Sequence, residues 1–287
     1  MLAVFLKEFR SYFTSAIGYI FIGIFLLITG IFFALSNLLP GNPSYNRVLS
    51  SIITVFLFII PVLTMKIMSE ETKTKTDQLL FTSPLKITDI ILGKYFAAVA
   101  VFLISLIITI LYPLILSMFG TVSAPEVFAG YIGLFLLGAS LIAIGVFISS
   151  LTENQVVSAV ITFGTLLFIW MIDSIQQGLP SSRTASIIFV IIIAAIFALI
   201  VYFSTKSIIT SAITALVGMI IIVSLYIAKK EVFDGLLQKV FGWFSLIKRY
   251  NMFQQGILSL NSVVYYLSFC VAFVFLTIRI VDKRRWS

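Results

Sequence analysis

Eight stretches of this chain each run for close to twenty residues with almost no charge, and a stretch of about 20 apolar residues is what an α-helix needs to cross the hydrocarbon core of a bilayer. The runs fall at 15–39, 51–68, 90–119, 127–151, 156–172, 185–204, 208–228 and 261–281. Turn chemistry separates them: Pro40, Gly41, Asn42 and Pro43 after the first, Thr152 to Gln155 after the fourth, and Thr205, Lys206 and Ser207 between the sixth and seventh. In lipid every backbone amide and carbonyl must be paired internally, so runs of this length read as helices. The expected fold is an all-α, polytopic membrane bundle of about eight spans, or six with re-entrant elements.

Composition agrees with a lipid solvent. The 287 residues are 61% hydrophobic and 10% charged, against about 25% charged in a soluble domain. The net charge of +8 would suit nucleic acid in a soluble protein. Here the basic residues sit in short segments between apolar runs, so they set topology and imply no nucleic-acid partner. With the N-terminus inside, twelve of the nineteen Lys and Arg residues face the cytoplasm, among them Lys7, Arg10, Lys66, Lys73, Lys75, Lys86 and Arg279. Both termini then lie on that side, in the plasma membrane. Five of the seven on the opposite side crowd into 229–249, where that rule wants few. No small-residue cleavage site follows a short core near the N-terminus, so no removable signal peptide is expected.

Several chemistries are missing from the residues. The chain has no histidine, and no acidic side chain falls at the middle of a run, where ion-coupled pumps keep the groups that bind or relay the ion. The Gly93–Lys94 pair lacks the glycine five positions earlier and the following Ser or Thr of a phosphate-binding P-loop. Cys270 is the sole cysteine and reads as packing, so neither an intrachain disulfide nor a cysteine metal site is expected. No nucleophile, metal-ligand cluster or cofactor motif stands out, and catalysis on this chain is not expected.

Three polar segments carry the remaining signal. Residues 69–89 interleave Glu70, Glu71, Asp77 and Asp89 with Lys73, Lys75 and Lys86, a pattern that suits a protein surface better than a lipid-binding basic block. Over 69–81 it predicts a short helix, with Ser69 as cap, Glu70 and Glu71 at the positive end of the dipole, and Leu79, Leu80 and Phe81 as an apolar tip before Pro84. Thr88 and Asp89 are placed to cap the next span. A solvated connector and a lever on a soluble partner both fit. The N-terminal residues 1–14 place Leu2, Phe5, Leu6, Phe9 and Phe13 at helical spacing with Lys7 and Arg10 elsewhere around the helix, predicting an amphipathic helix along the inner leaflet that serves as anchor or partner contact. Residues 229–260 read as two short amphipathic pieces, either interfacial or re-entrant. Within the fourth run, Ala139 with Ala143 and Gly145 with Ser149 offer a close-packing face.

The stretches LKEFRSYFTSAIGYIF, PVLTMKIMSEETKTKTDQLLFTSPLKITDIILGKY and NMFQQGILSLNSVVYYLSFCVAFVFLTIRIVDKRRW resemble the membrane subunit of ABC-2 type transporters, closest to the gliding-motility-associated permease family. The resemblance implies a permease that pairs with a second permease chain, in a homodimer or related heterodimer, and with a separate ABC ATPase that carries ATP and magnesium. It further implies that residues 69–89 form the coupling element, with Glu70, Glu71, Lys73, Thr74, Asp77, Leu79, Leu80, Phe81, Pro84 and Leu85 toward the ATPase. The N-terminal stretch with Phe5, Lys7, Phe9, Arg10 and Phe13 is then the elbow helix, 229–260 an outer re-entrant element, 15–281 the membrane domain and 282–287 a cytoplasmic tail. The expected function is ATP-driven export of an amphipathic or apolar solute such as a drug, peptide or lipid-like molecule. The rival readings are a secondary transporter and a non-transporting membrane scaffold or immunity protein.

Overall fold

A computed structural model describes residues 1–76 and 85–285. Those residues form helices and connecting turns, with no strand among them. In chain order the helices are α1 (Leu2–Thr14), α2 (Ala16–Phe33, extended by a π-helical turn Ala34–Leu38), α3 (Asn46–Thr64), α4 (Ser69–Thr74), α5 (Ile87–Thr109), α6 (Leu111–Ser117) and α7 (Ala124–Leu151). They continue with α8 (Gln155–Gly178), α9 (Arg183–Thr205), α10 (Ile208–Ala228), a 3-10 turn Lys230–Phe233, α11 (Leu236–Phe244), α12 (Leu246–Gln254) and α13 (Leu260–Arg285). Among the described residues, eight helices or helix pairs are long and apolar enough to cross a membrane: Ala16–Leu38, Asn46–Thr74, Ile87–Ser117, Ala124–Leu151, Gln155–Gly178, Arg183–Thr205, Ile208–Ala228 and Leu260–Arg284. Each of the eight apolar runs in the sequence corresponds to one of these.

The chain divides into two compact units, residues 1–168 with 246–287, and residues 169–245. In the first, α7 is the central strut: 78% of its apolar window is buried, and it packs against α3, α5, α12 and α13. Small residues make that possible. A Cβ on Gly133 would stand 2.7 Å from Phe253, one on Gly138 2.3 Å from the Phe102 ring, and one on Gly145 2.3 Å from the Thr64 hydroxyl. Ala139, Ala143 and Ser149 are buried on the same helix, so the close-packing face expected in the fourth run is present.

Two breaks shape this unit. Ser15 takes an extended conformation (φ −92°, ψ 158°) between α1 and α2; just beyond it, a Cβ on Gly18 would lie 2.5 Å from the Tyr12 carbonyl. Pro113 separates α6 from α5, because its ring lacks the N–H that would bond to the Thr109 carbonyl one turn earlier and clashes with that carbonyl. The Thr109 hydroxyl instead donates to Leu106 O at 2.7 Å and accepts from Tyr131 at 3.1 Å. Ser140 donates to Leu136 O, while Ser158 and Thr162 are buried with no hydrogen-bond partner.

In the second unit α9 and α10 form a hairpin, turned at Lys206 in the left-handed region (φ 51°). The Ser211 hydroxyl bonds to Ala198 O across it at 2.9 Å. Only 11% and 6% of their apolar windows are buried. Surfaces so apolar and so uncovered require hydrocarbon around them. The Arg183 guanidinium grips Asp234 with two 2.8 Å bonds, fastening the start of α9 to the turn that precedes α11.

Candidate functional site

The polar residues near the end of the first unit that carries α1 and α4 converge on one lysine. Gly93 of α5 lets α1 approach so closely that a Cβ there would be 3.0 Å from Val4 and 3.1 Å from the Phe5 amide. Lys94, the next residue, is 2% exposed. Its Nζ lies 2.8 Å from Glu71 Oε1, 3.0 Å from Glu8 Oε1 and 3.2 Å from the Ile67 carbonyl. An ammonium has three donors, and here each has an acceptor on a different element: α1, the turn after α3, and α4. Lys7, largely exposed, lies 3.5 Å from Glu8 and 3.9 Å from Glu71. Two cations thus balance two carboxylates, the condition under which charge is tolerated away from water.

A second clasp holds the same corner. The Ser149 hydroxyl of α7 accepts from the Met68 and Ser69 amides at 3.1 and 3.2 Å and donates to Met65 O at 3.2 Å. It therefore satisfies amides at the start of α4, the task the sequence assigned to Ser69. Ser69 bonds back to Met65 O instead and leaves α4 without a side-chain cap of its own. On α1, the Tyr12 hydroxyl donates to Leu63 O at 3.1 Å.

The structure places the remaining expected residues as follows. Glu70, Lys73 and Thr74 are exposed on α4, whereas Glu71 is turned inward to Lys94. The helix expected over 69–81 stops at Thr74, because Lys75 adopts a left-handed conformation (φ 57°) that ends it. Asp77, Leu79, Leu80, Phe81 and Pro84 lie outside the described residues, and Leu85 is half-buried. Thr88 and Asp89 do not cap α5, which starts after an extended Lys86 with no side-chain cap; Asp89 faces the N-terminal ammonium at 3.7 Å. Along α1 the rings of Phe5, Phe9 and Phe13 form a row with centroids 5.8 and 5.1 Å apart, while Lys7 and Arg10 are exposed. A cleft of about 160 Å³, lined by Glu8, Ser11, Lys66 and Glu70 among others, opens between α1 and the end of α3. Sequence reasoning missed Lys94, Glu8 and Ser149 as a set. The available signal was a lysine inside an apolar run, which demands a partner.

Elsewhere in the first unit, α12 lies against α7 and α13. The Tyr266 hydroxyl donates to Leu246 O at 2.6 Å, and Tyr250 and Phe253 are fully buried. At the other end of α12, the Gln254 carbonyl accepts from Asn46 at 2.9 Å, and the same amide bonds Glu126 at 2.6 Å.

A polytopic α-helical membrane protein, with a charged corner shared by α1, α4 and α5, is the class these features define. Residues 40–181 match the sequence model of the family described as ABC-2 family transporter protein. The matched stretch, just under half of the chain, contains α3 to α8, including α4 and Lys94, and makes this region similar to the membrane domain of such transporters. No curated protein matches the chain.

Proposed function

We propose that this chain is the membrane-spanning permease subunit of an ABC exporter, working with a second permease chain and with a separate ATPase that carries ATP and magnesium. The observation that carries the reading is the position of α4: within the family-matched stretch, exposed on its Glu70–Lys73–Thr74 side and clamped on its Glu71 side to Lys94. Motion imposed on its exposed side is transmitted through that clamp to α1 and α5 at once, because Lys94, itself on α5, bonds to both Glu71 of α4 and Glu8 of α1. A ligand or partner shifts a conformational equilibrium only by its differential contact with the two states; the ATPase, drawn together with its twin by ATP, supplies that contact here.

The same reading puts both termini and α4 in the cytoplasm and the chain in the plasma membrane. It takes 1–14 as the elbow helix and 229–260 as an outer re-entrant element. The Tyr266–Leu246 bond favours the re-entrant assignment, since Tyr266 is six residues into α13, about 9 Å at 1.5 Å per residue. The exported solute is amphipathic or apolar, in keeping with the few polar groups on the membrane-spanning walls. The closing segment ending at Arg284, Arg285 and Trp286 supports kinship with gliding-motility-associated permeases.

Affinity purification of the tagged chain from its native membrane tests this reading. A soluble ATPase should copurify in stoichiometric amount, and Glu70→Lys with Lys73→Glu should release it while leaving the permease in the membrane. A chain that purifies without any ATPase, or a cysteine at position 75 that reacts with an impermeant thiol reagent from the outside of intact cells, overturns the assignment.

A further inference from the structure

A trough of about 420 Å³ runs along the first unit between α5, α7 and α13. Leu92 and Phe96 form one wall, Phe135 another, and Leu267, Val271 and Phe275 the third. The polar atoms at its floor are already engaged: the Tyr95 hydroxyl donates to Ala139 O at 3.2 Å, and Cys270 Sγ lies 3.5 Å from the Ser140 hydroxyl. The wall therefore has nothing to offer but hydrocarbon contact. On α13 the lining extends from Leu267 to Ile278, about 16 Å of helix at 1.5 Å per residue, which is the reach of an acyl chain from the membrane interface toward the midplane.

The character of the trough changes abruptly at its end nearest the C-terminus. The Arg279 guanidinium stacks over the ring of Phe275, 5.0 Å from its centroid. Arg279 and Lys283, one turn further on, are both exposed; Asp282 beside them is half-buried. An apolar slot that leads to exposed cations has the polarity of one phospholipid leg beneath an anionic head. We propose that this trough binds an anionic phospholipid of the surrounding bilayer, one acyl chain lying between α5, α7 and α13 and its phosphate held by Arg279 and Lys283. Charge decides against a second copy of the chain as occupant. A two-fold axis along the membrane normal through the trough would bring Arg279 and Lys283 toward the same pair of the other copy, like charges that repel at close range. The proposal needs only that the bundle sits in lipid and is independent of any ATPase.

The test uses the full chain in nanodiscs of phosphatidylcholine doped with phosphatidylglycerol or phosphatidylcholine that carries a diazirine on one acyl chain, with crosslinks located by peptide mass spectrometry. Crosslinks from phosphatidylglycerol should concentrate on α5, α7 and α13 and exceed those from phosphatidylcholine there. Arg279→Gln and Lys283→Gln should each reduce that preference by about fivefold, the effect of one basic side chain near an anionic surface. Arg279→Lys should retain it. Ala139→Phe, which fills the floor, should remove trough crosslinks from both lipids; the exposed Arg279 and Lys283 variants keep the test valid if that variant does not fold. Equal trough labelling by the two lipids in the unsubstituted chain, crosslinks spread evenly over all spans, or efficient bismaleimide linkage of Cys270 to Cys270 of a second copy would each overturn the proposal.

Discussion

Lys94 Nζ stands 2.8 Å from Glu71 Oε1, and that contact spans 23 residues of sequence to join the helix after the second span to the first turns of the third. With Glu8 at 3.0 Å on the other side, the lysine is the shared partner of two carboxylates that would otherwise face one another.

Replacing Lys94 by alanine should therefore cost about 3–5 kcal/mol, the usual penalty for removing one member of a buried ionic cluster. The thermal midpoint of the detergent-solubilised protein should fall accordingly. Adding Glu8→Gln and Glu71→Gln to Lys94→Met should recover most of the loss, since the stranded charges are then gone. Additive losses in the triple variant would rule out the shared-partner arrangement.

Ser149→Ala removes the acceptor for two amides at the start of α4. A loss of about 1–3 kcal/mol is expected for leaving buried donors unpaired. The local signature is sharper than the global one: peptides covering 66–74 should exchange amide hydrogens faster while those within α7 stay protected.

Gly145→Leu should destabilise the bundle, because even a Cβ at this position meets the Thr64 side chain at 2.3 Å, and overpacking a filled interior costs about 1–3 kcal/mol or more. Gly164 on α8 is the control. A Cβ there has nothing within 4 Å, so Gly164→Ala should not lower the midpoint and, by the better helix propensity of alanine, should raise it slightly.

Asp234 gives a pH prediction. The hydrogen bonds from the Arg183 guanidinium hold its carboxyl below the ordinary carboxylate range. A group depressed in the folded state contributes above its unfolded pKa and loses that contribution as pH falls through the folded value. The clasp should therefore persist at pH 5 and release only in stronger acid. Trypsin cleavage after Lys229 and Lys230 at pH 7 should be slow in the unsubstituted protein and faster in Arg183→Gln. Hydrogen exchange over 229–236 should show the acid release directly, with the Arg183→Gln variant already open at pH 5.

The eight membrane-crossing helices were legible in the sequence because each is a single uninterrupted statement: twenty apolar residues need no distant partner to be read. The turns at Thr152 to Gln155 and at Lys206 were legible for the same local reason. The charged corner was not. Lys94 looks like one more topological charge until Glu8, 86 positions earlier, and Glu71 are brought beside it. Ser69 had the right chemistry to cap α4, but Ser149 took the role because the small residues of α7 allow that helix to come within hydrogen-bond reach. The early end of α4 depends on a left-handed lysine, a conformation uncommon for any residue other than glycine and unmarked by the sequence around it.

The corner at Ser15 has a mechanical meaning. With the Gly18 backbone set close against the Tyr12 carbonyl and Tyr12 bonded to Leu63 O, the N-terminal helix and the first span meet at a closely packed corner. They behave as a welded bracket. Under the coupling proposed above, a tilt of the short arm would pass to the long one rather than be absorbed at the joint.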